Sequence, residues 1–544
     1  VTAKQWSHAW LHESFATYFD ALYTRESKGE AEFRYQLLED AETYFSEDTR
    51  YRRPIVTRLY KEPIDLFDAH LYPGGAVRLH HLRAVAGEAY FRKALKVYLN
   101  RHQYGLVETV DWVRALEEVT GRNFDQWLEE WIYRGGYPEL QLGFSWDQAT
   151  RMATVSIKQM QKGESKKEEL LFHLRLTLAF YYPRGEERFE VDLHEKEEKF
   201  CFKLKSKPLF FRLDPDYECP TKKVTLEVPR PMLHRQLKND SDPIGRIEAA
   251  AHLVKKTSSQ DIEVLGQALR KEGEWGVAER IAGALGKIGG AQARDLLLKA
   301  LPSGDPKIRR GVVRALGAFL HDDKVARALR KTAAGDASYR VEAEALASLG
   351  RIKGPAARPF LETALERPSH NNMAQSAIYN ALAELEDENS WEILIRGAEY
   401  GARKNSRGAA MRAMAKLARR FEARRGEAME HLRRFARETR GTPAAVFRGK
   451  LEAIQSLKML DDLAAVPVLR ALAANETDGR LSRQAGEAVA HLFESARKPK
   501  ELGELRSELD DVSQENKALR ERLDLVEKKQ EAALDRKARK GKTK

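Results

Sequence analysis

Apolar positions recur three and four residues apart over the first quarter of the chain, switch to every second residue, and then return to the longer spacing. In "AVRLHHLRAVAGEAYFRKALKVYLNRH" and "VDWVRALEEVTGRNFDQWLEEWIYRGG" the spacing predicts helices up to about residue 136, stopped by Gly135, Gly136 and Pro138. From Tyr137 to about Pro231 the period is two. "ATVSIKQM" puts Val155 and Ile157 on one face, and "FCFKLK" aligns Phe200, Phe202 and Leu204. "LLFHLRLTLAFYY" sets Leu174, Leu176, Leu178 and Phe180 against Arg175, Thr177 and Ala179. Short half-buried strands of this kind predict a small antiparallel β-sandwich.

From about Asp240 to Arg497 a repeat emerges: "ERIAGALGKIGG", "RGVVRALGAFL", "EAEALASLGRIKG", "IYNALAELED", "AMRAMAKLARR" and "KLEAIQSLKML". Their equivalent leucines, Leu285, Leu316, Leu349, Leu385, Leu417 and Leu457, lie 31, 33, 36, 32 and 40 residues apart. Each unit offers two short amphipathic helices that cannot bury their apolar faces alone, so neighbours must stack into a solenoid. Arginine ahead of the second helix and turns such as "GDPKIRR" resemble HEAT repeats. Beyond them Leu502, Leu505, Leu509, Val512, Asn516, Leu519, Leu523 and Val526 alternate at three and four, a heptad with one asparagine at an a position. Glu515 would face Arg520, and Arg522 would face Glu527, across a parallel pair; a homodimer through this coiled coil is expected, against a lone surface helix. The expected fold is mostly α with a small β-sandwich: a helical part over 1–136, the sandwich over 137–231, a HEAT-like α-solenoid over 240–497, a coiled coil over 500–533 and a basic disordered tail over 534–544.

Composition narrows the class. A chain of 544 residues exceeds one core, and 42% hydrophobic with 32% charged residues fits several globular, helix-rich domains. No run approaches the roughly 20 apolar residues of a membrane span. Cys201 and Cys219, both in the strand-like region, exclude a disulfide framework and a thiolate zinc site and lean towards a reducing compartment such as the cytoplasm. The formal charge of +12 is modest, and part of it sits in "DRKARKGKTK". Without a reading module or an aromatic and basic patch, nucleic acid is not an expected partner.

Chemistry concentrates in "WSHAWLHESFATYFDALY", residues 6–23. On a helix, Glu13 has small neighbours, Ala9, Ala16 and Thr17, so a second helix can approach its carboxylate, while Trp10, Phe15 and Phe19 pack as core. A glutamate kept dry in this way needs a cation, and either a metal or a buried arginine would serve. His8 and His12 have a spacing that permits zinc ligation, but no glutamate stands between them; two partly exposed histidines are the simpler reading. His80 and His81 diverge on a helix and read as packing or surface residues.

The stretch "VTAKQWSHAWLHESFATYFDALY" resembles the segment V-T-x-x-x-W-x-x-x-W-L-N-E-G-F-A-x-Y-x-E of the M1-family zinc aminopeptidases, the gluzincins. The resemblance implies that Glu13 is the third zinc ligand, with one Zn2+ per chain. It also implies that two histidine ligands and a general-base glutamate come from an H-E-x-x-H helix lying just before Val1, so that the chain is a carboxy-terminal fragment. The segment "RPIVTRLYKEPIDLFDAHLYPGGAVRLHHLRAVAGEAYF" resembles the family's Y-x-K-G-A region, 59 residues on, and implies that Tyr72 donates a hydrogen bond to the oxyanion. "LEEVTGRNFDQWLEEWIYRGGYPEL" looks like the end of the same catalytic domain. Asparagine is replaced by His12, glycine by Ser14 and the lysine by Gly74.

Two functions follow as expectations. One is zinc-dependent removal of amino-terminal residues from peptides by the full-length parent, with this fragment alone inactive. The other is an aminopeptidase-like scaffold without chemistry, whose HEAT repeats and coiled coil bind proteins.

Overall fold

The computed structural model describes residues 1–163, 170–255, 257–353, 357–402 and 405–497, together with Leu509. The heptad segment, Leu509 apart, and the basic tail lie outside the described residues. Contacts divide the chain into two compact units, Val1–Ala284 and Leu285–Lys544.

The first unit begins with a short strand β1 (Thr2–Ala3), paired in parallel with β2 (Leu106–Val107), and the helices α1 (Trp10–Lys28), α2 (Glu30–Arg50), α3 (Gly75–Ala86), α4 (Glu88–Arg101), α5 (Thr109–Thr120) and α6 (Asp125–Leu128). Gly29, at φ +96°, ends α1 and turns the chain directly into α2, a backbone state that glycine reaches without penalty. The core gathers around fully buried Trp10, Tyr18 and Trp112; the Trp112 ring meets Phe15 at 5.4 Å, Phe91 at 5.4 Å and Tyr98 at 5.6 Å. Phe19, expected in this core, is 41% exposed, because it lies off the face that α1 buries, which carries Trp10, Leu11, Ser14, Phe15, Tyr18 and Ala21.

Seven strands follow: β3 (Glu139–Asp147), β4 (Met152–Gln159), β5 (Leu174–Tyr181), β6 (Glu186–Leu193), β7 (Glu197–Lys203), β8 (Phe210–Leu213) and β9 (Lys222–Glu227). They form sheets of order β7-β4-β3-β9 and β6-β5-β8, whose inner faces share one core. The predicted alternation holds in β4, where Ala153, Val155 and Ile157 are buried. Two details differ from expectation. Strand β9 runs parallel to β3, since the chain crosses over through β5 to β8 before returning. Ala179 is buried although it faces away from the sandwich interior, because helix α7 (Arg230–Asn239) packs on the neighbouring β8. Cys201 lies exposed in β7, whereas Cys219 is buried in the turn before β9; both are free thiols.

Helices α8 (Pro243–Leu253), α9 (Ser259–Lys271) and α10 (Trp275–Ile288) continue from α7. Helix α8 starts with Asp242 capping Ile244 N at 2.7 Å and proline in the first turn. This group is fastened to α2: Trp275 Nε1 donates to Glu32 at 2.6 Å, its ring meets Tyr35 at 4.7 Å, and Arg34 pairs with Asp242. Gly276 allows that approach, since a Cβ there would come within 2.5 Å of the Tyr35 ring.

In the second unit α11 (Gly290–Ala300) leads into α12 (Pro306–Leu316), α13 (Asp323–Gly335), α14 (Tyr339–Arg351), α15 (Ala357–Leu365), α16 (Met373–Glu384), α17 (Trp391–Ala398), α18 (Arg407–Arg420), α19 (Arg425–Ala436), α20 (Pro443–Leu460), α21 (Val466–Asn475) and α22 (Gly479–Arg497). The even-numbered helices from α12 to α22 pack in succession, as the repeat predicts. Leu285, Leu316, Leu349, Leu417 and Leu457 are wholly buried; Leu385 sits one residue past the end of α16 and is half-buried. Neighbouring repeats are also tied by charge: Arg309 grips Asp336 through two hydrogen bonds of 2.8 and 2.9 Å. Among the described residues no helix is long and apolar enough to cross a membrane.

Candidate active site

Glu13 occupies the first turn of α1, its backbone N–H bonded to Ala9 O at 3.1 Å. Its side chain is half-buried, not dry as expected, and among the described residues neither lysine nor arginine pairs with it. Tyr72 stands in a single wide π-type turn, His70–Gly74, that leads into α3. The phenol lies against the Glu13 carboxylate. Its pKa is raised above the ordinary 10 first by burial, then by the Glu13 charge and a hydrogen bond to it. Residues 59 apart in the chain are therefore side by side.

What brings them together is a bond between their neighbours. Ser14 Oγ donates to Leu71 O at 2.6 Å, joining the residue after Glu13 to the residue before Tyr72. Helices α1 and α3 touch here, and a Cβ on Gly75 would overlap the Ser14 hydroxyl. The turn is anchored from below as well. Asp68 Oδ1 accepts from the N–H groups of His70 and Leu71, each at 3.0 Å, and Arg53 clamps the same carboxylate at 2.6 and 2.8 Å. Burial alone would raise the Asp68 pKa, but the bonds from His70 and Arg53 hold the carboxyl far below the usual range. His70, fully buried, sits between Asp48 at 3.4 Å and Asp68 at 3.3 Å. Arg78, 1% exposed, reaches Gly74 O at 2.9 Å, Tyr44 Oη at 2.7 Å and Gly136 O at 2.9 Å. The Tyr44 ring also explains Gly74: a Cβ there would lie 2.7 Å from its Cδ2, so a lysine cannot stand at that position without moving the ring.

The histidines are committed elsewhere. His12 Nε2 accepts from Ala3 N at 3.0 Å. His8, expected to be partly exposed, is 8% exposed; its Nδ1 lies 3.2 Å from the Thr109 N–H and 2.9 Å from Thr109 Oγ1, and burial lowers its pKa. His80 Nδ1 meets Tyr18 Oη at 3.0 Å and His81 Nδ1 meets Glu218 O at 3.2 Å; burial lowers their pKa values to about 3 and about 4. Both serve packing. Among the described residues no group of three or more His, Cys, Asp and Glu could hold a metal ion. Reading the sequence noted Ser14 only as a replacement for glycine and missed Arg53, Asp68 and His70. Only Asp68, a short acidic residue ahead of a turn, carried a local signal, that of a residue capping free N–H groups.

Residues 1–131 match the Peptidase family M1 domain, and residues 230–304, 262–339 and 295–383 match HEAT repeats. The amino-terminal quarter of the chain is thus similar to part of an M1 peptidase domain, and the segments that resemble HEAT repeats follow it. Similar proteins include a probable aminopeptidase 2 of Sulfurisphaera tokodaii, 31% identical over 142 residues, covering 25% of this chain and 18% of the relative. Aminopeptidase N of Streptomyces lividans is 29% identical over 167 residues, covering 29% of this chain and 19% of its own. The chain spans about a fifth of the length of these relatives. Legionella pneumophila aminopeptidase A, solved in complex with aspartic acid, shares the fold: TM-score 0.59 at 16% identity, covering 90% of this chain and 63% of that one.

Proposed function

We propose that the chain is part of a zinc aminopeptidase in which Glu13 is a metal ligand and Tyr72 steadies the oxyanion. The observation that carries this reading is the Tyr72 phenol held against Glu13 within the M1-matched residues. The donor set fits as far as it goes: a half-buried carboxylate at a helix start, with no cationic side chain paired to it among the described residues. When bound, zinc would polarise the scissile carbonyl and make a water nucleophilic near neutral pH. Glu13 would bring one negative oxygen donor, fixed in direction by α1. Tyr72, a phenol that is protonated at pH 7 in any case and whose pKa is raised further, would donate a hydrogen bond to the charge that develops on the carbonyl oxygen. The Ser14 bond and the Arg53–Asp68 clamp fix the backbone turn that carries Tyr72. With one donor present, this chain alone is expected to bind no zinc tightly and to hydrolyse nothing.

The test uses the full-length parent and its Glu13→Ala variant, with metal content by mass spectrometry beside aminoacyl-coumarin hydrolysis. About one zinc per chain, with metal and hydrolysis both lost in the variant, is expected. A parent with neither zinc nor hydrolysis would leave a scaffold that binds through its repeats.

A further inference from the structure

The excess positive charge is not spread along the chain. Residues 405–450 carry thirteen Lys and Arg against four Asp and Glu, a net +9 out of +12 for 544 residues. The tail "DRKARKGKTK" adds +5, so everything else together is slightly acidic. Six of these thirteen cations pair with carboxylates outside the segment, among them Lys416 with Glu384, Arg424 with Glu388 and Arg412 with Glu452. Helix α19 and the residues just after it gather four of the arginines on one surface.

The inner face of α19, Ala428, Met429, Leu432, Phe435 and Ala436, is core. Its outer face runs Gly426, Glu430, Arg433, Arg434 and Arg437 at steps of three and four, and with Glu438, Thr439 and Arg440 it lines an open depression of about 800 Å3. Gly426 leaves one end bare, with nothing within 4 Å of where a side chain would start. Arg434 is engaged by Glu399, and Arg440 by Glu438 at 2.7 Å while lying over the Tyr400 ring. Arg433 reaches only a carbonyl, Ala464 O, and Arg437 has no ion pair among the described residues. Arg433 in the last turn and Arg437, which caps it, are like charges four residues apart in the chain. The helix dipole favours cations in the last turn, which accounts for Arg433 and Arg434 but not for Arg437 and Arg440 beyond it.

We propose that this arginine-lined depression is a docking site for an acidic peptide segment of a protein partner. All four cations are arginine, whose planar fork matches a carboxylate through two parallel hydrogen bonds. No aromatic side chain lines the depression to stack a base, and no large apolar one to enter a lipid surface. Glutamate or aspartate side chains would relieve the repulsion between Arg433 and Arg437, and complementary charge speeds encounter.

The test measures fluorescence anisotropy of a short fluorescein-labelled peptide of alternating Glu and Ser with the 544-residue chain. The variants are Arg433→Glu/Arg437→Glu and, as a charge-matched control on exposed positions of α4, Lys93→Glu/Lys96→Glu. Binding that weakens with salt, falls at least about tenfold in the groove variant and barely changes in the control is expected. Arg433→Ala/Arg437→Ala replaces the reversal if its melting curve shows misfolding. No binding, or equal loss in both variants, overturns the site. Tighter binding of a single-stranded oligonucleotide of equal charge through the same arginines overturns the peptide assignment.

Discussion

Replacing Gly75 by alanine tests how the two site residues are held together. The added Cβ would overlap Ser14 Oγ and lie 2.5 Å from Ser14 Cβ. Carbon atoms pack at roughly 3.5–4.0 Å, so α1 and α3 must part by about 1 Å or the serine must rotate. Parting two packed helices costs about 1–3 kcal/mol. Rotation breaks the 2.6 Å bond to Leu71 O and takes that partner from the buried Ser14 hydroxyl, about 1–3 kcal/mol more. A loss near 3 kcal/mol corresponds to about a hundredfold faster exchange by local opening. Hydrogen exchange with mass spectrometry on peptides covering Trp10–Lys28 and His70–Ala86 reads it directly. In Ser14→Gly/Gly75→Ala the new methyl enters vacated space. The double variant is therefore expected to be no worse than Ser14→Gly alone, a coupling of about 2 kcal/mol. Unchanged exchange in Gly75→Ala, or a double variant that loses the sum of both, would refute the reasoning.

Three further outcomes are expected. Tyr72→Phe in the full-length parent keeps its zinc and lowers kcat by about 10²–10³, the usual effect of removing one oxyanion donor, with KM little changed; equal hydrolysis would remove Tyr72 from the chemistry. Asp40, whose Oδ2 is buried without a partner, has its pKa raised to about 7, first by burial and then by Glu39 and Asp20. A raised carboxyl pKa means the folded state holds the proton more tightly than the unfolded one. Asp40→Asn should therefore stabilise increasingly from about pH 4 to pH 7 and level off above, by about 2–4 kcal/mol; thermal melts that show a pH-independent gain would contradict this. Trp275→Ala removes the bond to Glu32 and the contact with Tyr35, and should expose Glu30–Arg50 to exchange while leaving β3 to β9 protected; unaltered protection of Glu30–Arg50 would show that the fastening rests elsewhere.

Much of the fold was legible because it is written at short range. Period two marked β4 and β5, the repeated leucines marked the stacked helices, and the residues around Glu13 and Tyr72 carried a family resemblance. The basic segment 405–450 was equally visible as composition, yet which of its arginines lack a carboxylate depended on the neighbouring repeats.

The sequence by itself determined element type, the order of helical part, sandwich and solenoid, and the two residues on which the proposed chemistry rests. Only the tertiary structure decided that β9 runs parallel to β3, that His8 is buried on Thr109, and that Ser14 ties Glu13 to Tyr72. The physical reason is reach. Side-chain periodicity reflects a residue and its neighbours within a turn or a pleat, whereas a hydrogen bond between residues 57 apart exists only once α1 and α3 have packed. The bareness of Gly74 and Gly75, weak as a sequence signal, becomes a requirement when Tyr44 and Ser14 press against them.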